Sequence, residues 1–232
     1  MRRFSTPIII LSMLIVYMIP SLCIALALLP GVCLVNFTNQ WNIDSTLLKH
    51  FVFAFSLVIS YLLYGISLIF ILPAMNFLIR AYPRPCRENM YSIESVRWFT
   101  HNALTYVMRY TFLDWITPTP LNVLFYKLMG MKVGKGVHIN SSNISDPSLI
   151  SLGNKVVVGG SASIMAHYGQ KGVMIIAPVK IDDKATIGIR ATIMGDVEIG
   201  KGATVLPNSA VMPKTRILDG EVWGGVPAVK LS

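Results

Sequence analysis

The residues best suited to proton transfer lie in the last hundred positions of the 232-residue sequence. Two histidines, His138 and His167, occur there, and an imidazole with a near-neutral pKa suits a general base at physiological pH. Asp146 is the best candidate for a carboxylate that orients a histidine or grips a cationic acceptor, although an Asp before a Pro also commonly initiates a turn. All three cysteines precede residue 90, so no thiol serves this region as nucleophile or metal ligand.

The segment that carries these residues repeats with a period of six. Apolar residues recur at this spacing, and a mostly small or β-branched residue stands two positions before each of them. The apolar positions are Ile181, Ile187, Ile193, Ile199, Val205, Val211, Ile217 and Trp223. The preceding positions are Val179, Ala185, Ala191, Val197, Ala203, Ser209 and Thr215, with Glu221 as the exception.

A period of six predicts a parallel β-helix. Helical turns of 3.6 residues would scatter these positions around the axis, and a meander of hairpins would not keep one constant register. Three short strands with tight turns close one triangular coil, with the apolar residue inside and the glycines after it (Gly188, Gly200, Gly224) easing the corners. The same phase begins at Val133, so about fifteen units predict about five coils.

The repeat is interrupted once, between Ile164 and Ile175, which are eleven residues apart. The extra residues fall within positions 165–174, which contain His167 and Tyr168. A solenoid accommodates an insertion as a loop projecting from one face, and such faces are often binding faces. We therefore expect His167 to be catalytic and Tyr168 to contact the acceptor.

A polar group in the early coils is the other candidate surface. His138 stands beside the inward pair Val137 and Ile139, so its side chain should point outward, either into an acceptor cleft or simply into solvent. Asn140 and Asn143, with the two serines between them, could bind a sugar or peptide acceptor or could be plain turn residues.

Two long apolar stretches precede the repeats. Residues 8–35 and 51–79 contain no charged residue, and each is long enough to cross a bilayer. A cleaved signal peptide is the competing interpretation of the first, with Ala25-Leu26-Ala27 as its cleavage site. Arg2 and Arg3 precede the first stretch and Arg80 and Arg84 follow the second, which predicts both termini in the cytoplasm.

The connecting region is aromatic and basic. Residues 91–130 interleave Tyr, Trp and Phe with Arg97, Arg109, Asp114 and Lys127, which suits helices lying in the headgroup layer or amphipathic helices packed on the next domain. The segment Thr117–Pro120 should split these helices, since proline ends a helix. The chain is thus divided into a two-helix anchor (1–79), an interfacial linker (80–130) and a β-helical domain (131–232).

Composition agrees with this division. Hydrophobic residues make up 53% of the chain, charged residues 13%, and the mean hydropathy is +0.59, which argues against a wholly soluble or a disordered protein. The net charge of +9 is densest in residues 80–132, which hold seven Lys/Arg and three acidic residues. This distribution favours an anionic membrane surface over nucleic acid, for which no binding motif is present.

Residues 131–232 resemble the hexapeptide-repeat acyltransferases with a left-handed β-helix, through the [LIV]-G-x-x-x-x pattern and the ending Trp223–Ala228. The resemblance implies a homotrimer with active sites between subunits, acyl transfer from a pantetheine thioester such as acetyl-CoA, no metal, and His167 as general base. It also implies donor binding along the later coils. The residues concerned are Gly188, Ala191, Ala203 and Pro207 for the pantetheine arm, and Lys201, Lys214, Arg216 and Lys230 for phosphates.

The layout of the chain is similar to that of the membrane-linked C-terminal units of poly-lysine-type peptide synthetases. The likeness rests on the two spans, the aromatic linker, Gly136-Val137-His138-Ile139 and Asp146-Pro147-Ser148-Leu149. It implies an aminoacyl or acyl donor on a carrier protein, whose acidic surface would meet the basic stretch 80–132.

The leading hypothesis is an acyltransferase anchored in the inner membrane with its catalytic domain in the cytoplasm. It would acylate a hydroxyl or amine of a membrane-associated or surface-polymer acceptor. The alternatives are peptide-bond formation from a carrier-protein thioester and a non-catalytic trimeric scaffold. A γ-type carbonic anhydrase site needs three histidine ligands, and this domain has two histidines.

Overall fold

The computed structural model describes residues 6–89 and 92–232, with side-chain surroundings from residue 13 onward. Arg2 and Arg3, which enter the orientation argument, lie outside the described residues. The chain begins with two long helices, α1 (Thr6–Asn39) and α2 (Thr46–Leu78), which pack against each other. Their closest approach is at Gly31, whose carbonyl accepts a hydrogen bond of 3.0 Å from Ser60. Both helices are long and apolar enough to cross a membrane, as the sequence predicts.

The linker is a chain of short elements packed between the long helices and the repeats. It comprises strand β1 (Cys86–Asn89), helix α3 (Ile93–Met108), a π-helical turn (Arg109–Leu113), α4 (Asp114–Ile116) and α5 (Pro120–Leu128). The break between α4 and α5 lies within Thr117–Pro120, as predicted. Helix α3 contacts both long helices, and Phe112 of the π-helical turn packs against Gly65 of α2. The linker helices are therefore built into the fold, whether or not they also touch lipid.

The last hundred residues form the parallel left-handed β-helix that the repeats predict. Its strands stack into three sheets, one for each side of a triangular coil. The first sheet contains β2 (Lys132–Val133), β5 (Ile150–Leu152), β10 (Val179–Ile181), β13 (Val197–Ile199) and β16 (Arg216–Ile217). The second contains β3 (His138–Ile139), β6 (Val157–Val158), β11 (Thr186–Ile187), β14 (Thr204–Val205) and β17 (Val222–Gly225). The third contains β4 (Ile144–Ser145), β7 (Ser163–Met165), β12 (Thr192–Ile193) and β15 (Ala210–Val211).

The six-residue period is visible in both packing and backbone. The apolar positions from Ile181 to Ile217 are all buried inside the coils, and each pairs in register with its equivalent one coil away, as Ile187 does with Val205. Each corner also places one residue in the left-handed region of backbone conformation, again at every sixth position. These residues are Lys184, Arg190, Asp196, Gly202, Asn208, Lys214 and Gly220.

The glycines that follow the apolar positions have a different role from the predicted one. Gly188 and Gly200 do not adopt a positive φ, so they do not ease the corners. A Cβ on Gly188 would instead lie 2.4 Å from the backbone nitrogen of Pro207, and one on Gly200 would lie 2.6 Å from that of Asp219. Glycine is needed there because the next coil passes too close for a side chain.

The insertion between coils is a β-hairpin, formed by β8 (His167–Gln170) and β9 (Val173–Ile176). We expected a loop projecting freely from one face. The free edge of β9 is instead covered by β1 from the linker, which pairs antiparallel from Cys86 with Ile176 to Asn89 with Val173. His167 lies at the base of the hairpin, next to the coil, because β8 starts there.

The last coil is closed by polar contacts. Strand β18 (Ala228–Lys230) folds back antiparallel on β17. Glu221, the exception among the small positions, accepts hydrogen bonds from Lys230, the Leu218 amide and the Trp223 indole, which lower its pKa to about 2. Glu221 thus ties the end of the chain to the coil.

The close approach at Gly188 predicts a stability difference between two glycines. Gly188→Ala should lower the free energy of unfolding by about 1–3 kcal/mol, since the added methyl meets backbone that cannot move aside. Gly169→Ala is the matched control, because nothing lies within 4 Å of its added Cβ and its φ is ordinary. Thermal unfolding followed by circular dichroism measures both. Equal midpoints for the two variants would contradict this account of the repeat glycines.

Candidate active site

The fold brings His167 and Asp146 together. Nδ1 of His167 lies 2.5 Å from Oδ2 of Asp146, although the two residues are 21 positions apart in the chain. Asp146 directly follows β4, at the start of a short 3-10 turn (Pro147–Leu149), and His167 opens the hairpin after β7. These two strands pair side by side in the third sheet, with Ser145 opposite Met165. The neighbouring coils therefore deliver both side chains to one place.

Asp146 is buried completely and surrounded by N–H donors. Its φ of 61° puts it in the left-handed region. Oδ2 also accepts a hydrogen bond of 3.1 Å from the Ala166 amide, and Oδ1 accepts one of 2.7 Å from Asn102 of α3. Burial by itself raises the pKa of Asp146, but the hydrogen bonds and charge interaction with His167, aided by Asn102, bring the pKa below its usual value. The carboxylate is thus held ionised inside the protein.

The ionised carboxylate fixes the state of the imidazole. A carboxylate can only accept hydrogen bonds, so Nδ1 of His167 carries a proton and donates a hydrogen bond to Asp146. In the neutral ring, Nε2 is then an unprotonated acceptor. Nε2 makes no hydrogen bond to any part of the chain that the structure describes, and 21% of the side chain is exposed to solvent. This is the arrangement of a general base with a second group that orients it.

Helix α3 completes the surroundings of the pair. Trp98 packs edge-to-face on the imidazole of His167, with 4.8 Å between ring centroids. Asn102, one turn further along α3, bonds Asp146 and also the carbonyl of Trp98. The sequence did not single out either residue, because it left open whether the aromatic linker lies at the membrane surface or packs on the next domain. The available signal was the polar run Thr100-His101-Asn102 in α3.

A second buried histidine lies on the same helix. Nδ1 of His101 is 3.0 Å from Oδ1 of Asn76 in α2, and the side chain is fully buried. Burial lowers the pKa of His101 to about 4, although the nearby charge of Asp146 opposes this shift. His101 is therefore neutral at pH 7 and joins α3 to α2.

The expected acceptor residues are divided among different surroundings. His138 is exposed on β3 and lines a cavity of about 470 Å³ with α5, while Asn140 lines a smaller polar cavity with Asp114. Asn143 accepts a hydrogen bond from Arg109 of the linker. Tyr168, the second residue of β8, is only 6% exposed, and its contact with an acceptor remains a prediction.

The expected donor residues also differ in accessibility. Ala191 and Ala203 are fully buried in the core, and their amide and carbonyl groups are taken by the coil, so their expected contact with the donor remains a prediction. Gly188 is likewise occupied with coil packing. Lys230 is bound to Glu221 at 2.8 Å and Arg216 to Asp196 at 2.7 Å, whereas Pro207, Lys201 and Lys214 are exposed.

The comparison with protein-family models found no match. Among curated proteins, the chain is 21% identical over 198 residues to the delta-poly-L-ornithine synthetase of Acinetobacter baumannii, which covers 84% of this chain and 14% of that protein. It is 39% identical over 93 residues to the mitochondrial gamma carbonic anhydrase 2 of Arabidopsis thaliana, covering 40% of this chain and 29% of that one. It is 32% identical over 109 residues to the putative acetyltransferase YvoF of Bacillus subtilis, covering 46% and 62%.

The comparison with solved structures gives a likeness at low sequence identity. The hexapeptide-repeat acetyltransferase of Vibrio cholerae, complexed with acetyl coenzyme A, superposes with a TM-score of 0.48 at 15% identity, over 66% of this chain and 96% of that one. The chain spans less than two thirds of the length of each of the three curated relatives named above. Across the residues that the structure describes, no group of three His, Cys, Asp or Glu side chains is placed to hold a metal ion.

The burial of the Asp146 carboxylate predicts that replacing it destabilises the folded protein. Asp146→Asn should lower the free energy of unfolding at pH 7 by about 2–4 kcal/mol. The N–H groups that surround the carboxylate would then no longer face a negative charge. The folded pKa of Asp146 lies below the unfolded one, so its contribution is present above the unfolded value of about 3.9 and is lost as the pH falls through the folded value. Denaturant titrations from pH 7 to pH 3 measure the gap between wild type and variant.

The control for this prediction is Asp182→Asn, which removes an exposed carboxylate paired only with Lys180. Its effect should be small throughout the same titrations. A gap for Asp146→Asn that did not narrow in acid would contradict the assignment of a buried ionised carboxylate.

The lowered pKa of His101 predicts a second loss of stability, at a higher pH than the loss that comes from Asp146. The unfolded chain takes up a proton near pH 6.5 and the folded protein only at about 4, so stability should decrease as the pH falls between these values. The loss is at most about 3–4 kcal/mol, from about 1.4 kcal/mol for each pH unit. His101→Gln should flatten this slope, while His138→Gln, at an exposed site, should leave it in place. An unchanged slope in His101→Gln would assign the acid sensitivity elsewhere.

Proposed function

We propose that this protein is an acyltransferase in which His167 is the general base and Asp146 the residue that orients it. The observation that carries the proposal is the 2.5 Å contact between Nδ1 of His167 and the buried carboxylate, in a side chain that is 21% exposed. With Nδ1 engaged, Nε2 is the ring nitrogen that remains to take a proton from the acceptor. Support comes from the β-helical fold and from the relative named as a putative acetyltransferase.

The proposed reaction needs no covalent enzyme intermediate. Nε2 of His167 takes the proton from a hydroxyl or amine of the acceptor as that group attacks the thioester carbonyl carbon. The bond from carbon to sulfur then breaks, the acyl group stays on the acceptor, and the imidazolium returns its proton to the departing thiolate. Asp146 stabilises the imidazolium and keeps the ring in the required tautomer.

The proposed donor is a pantetheine thioester such as acetyl-CoA. Among the expected donor residues, Pro207, Lys201 and Lys214 are exposed on the later coils and are available for its arm and phosphates. We also propose a homotrimer, as in the family that the repeats resemble. It would place a second subunit against the coils and cover exposed apolar side chains such as Ile189 and Met212.

The proposed location is the membrane, with the β-helix on the cytoplasmic side, and the exposure of the two long helices supports it. In their most apolar windows only 22% and 33% of the residues are buried, unlike the core helices of a soluble protein. Leu47, Phe51 and Phe77 are each more than 60% exposed. Arg80, Arg84 and Arg87 follow α2 on the side of the β-helix, in keeping with the rule that positive loops stay in the cytoplasm.

A second candidate is peptide-bond formation with an aminoacyl thioester on a carrier protein. It is favoured by the match to the poly-ornithine synthetase, which extends over 84% of this chain and so includes residues well before the repeats. The proton transfers would be the same, with an amine as acceptor. The two candidates differ in the donor alone.

The experiment is transfer of radiolabelled acetate from acetyl-CoA to material in the membranes that contain the protein. His167→Ala should reduce the labelling rate by a factor of about 10²–10⁴, the usual contribution of a general base. Lys171→Ala, at the exposed tip of the same hairpin, should transfer at the wild-type rate. His167→Ala should unfold at a lower temperature because the buried carboxylate loses a donor, so the rates are compared at a temperature at which circular dichroism shows both variants folded. Labelling by His167→Ala at the wild-type rate would refute the mechanism.

A further inference from the structure

An apolar groove of about 520 Å³ lies between α1 and α3, and the catalytic proposal does not use it. Its walls are mainly aromatic and aliphatic, with Pro20 from α1 and Phe99, Tyr106 and Val107 from α3. The volume falls within the range of small-molecule sites, which are typically apolar with a few polar groups.

The inner end of this groove meets the Asp146–His167 pair. Trp98 and Asn102 line the groove, and these are the two side chains of α3 that contact His167 and Asp146. Asn102 is 4% exposed, and its amide nitrogen is fixed by the Asp146 carboxylate, which can only accept. Its Oδ1 is therefore a buried acceptor, and it has no partner in the part of the chain that the structure describes.

The outer end opens onto the exposed side of α1. Tyr17 and Tyr110 line the groove and are 70% and 72% exposed, and the neighbouring Met18 is 72% exposed. If α1 crosses the bilayer, this rim faces lipid. The groove then extends from the lipid-facing rim to Trp98 and Asn102, the two residues of α3 that contact His167 and Asp146.

We propose that the groove binds the apolar tail of a lipid acceptor and presents the acceptor's hydroxyl or amine to His167. This inference rests on the proposed acyl transfer and adds the class of acceptor, an amphiphile with a long hydrocarbon chain and a small nucleophilic head. The unpartnered Oδ1 of Asn102 accepts a hydrogen bond from the head, which a hydrocarbon alone would not supply. The donor is assigned elsewhere because its exposed candidate residues, Lys201 and Pro207, belong to the later coils and do not line the groove.

The test is photolabelling of the full-length protein in phospholipid nanodiscs with hexadecylamine that carries a diazirine in its chain. Peptide mass spectrometry then maps the label. We expect it on the groove segments of α1 and α3, and we expect unlabelled hexadecanol to compete while butanol does not. Ala103→Trp, which fills the groove from α3, should lower labelling by about tenfold, within the usual penalty for overpacking. Leu22→Trp, at an exposed position of α1 outside the groove, is the matched control and should label as wild type.

The labelling does not depend on catalysis, so His167→Ala should retain it. Labelling of the wild-type groove together with no acetyl transfer by the wild-type protein would leave the groove assignment standing and refute the proposed function alone. Labelling that is equal in Ala103→Trp and wild type would overturn the groove assignment. Competition by palmitoyl-CoA but not by hexadecanol would overturn it as well, because the groove would then hold the donor.

Discussion

The structure depends on one buried charge, the carboxylate of Asp146. It has no contact with solvent, and it is stabilised by N–H donors from three parts of the chain, namely the side chain of Asn102 in α3, the amide of Ala166 and the imidazole of His167. An ionised carboxylate is buried at acceptable cost only where such donors replace water. The position of α3, the base of the hairpin and the orientation of the catalytic imidazole are consequently set by the same group. Removal of any one donor would disturb the other two.

The β-helix supplies the rigid frame that this arrangement requires. Its interior is a column of Ile and Val side chains that no single repeat could bury, and its corners tolerate charged residues in the left-handed conformation. The strands are only two to four residues long, so their stability comes from stacking between coils. A side chain attached to this rigid frame is held in a fixed position, whereas the same side chain on a free loop would have to be ordered at each turnover.

The sequence was sufficient to predict the frame and insufficient to predict what surrounds the catalytic pair. The six-residue period predicts coil number, register and the buried positions, because each apolar residue is placed by local geometry. Asp146 and His167 could be proposed as partners since coil stacking brings their strands together. Trp98, Asn102 and the β1–β9 pairing could not be, because they depend on how a helix and a strand of the linker dock on a distant surface. Tyr168, Ala191 and Ala203 were assigned by position along the chain, and only the coordinates show that they face inward.

The pairing of β1 with β9 has a mechanical consequence. A strand of the connecting segment and the hairpin that starts with the catalytic histidine form one small sheet, and α2 leads directly into that segment. If α1 and α2 span a bilayer, this sheet would hold the imidazole of His167 at a fixed height above the hydrocarbon boundary. An acceptor would then be within reach of the imidazole only where its reacting group lies near that height.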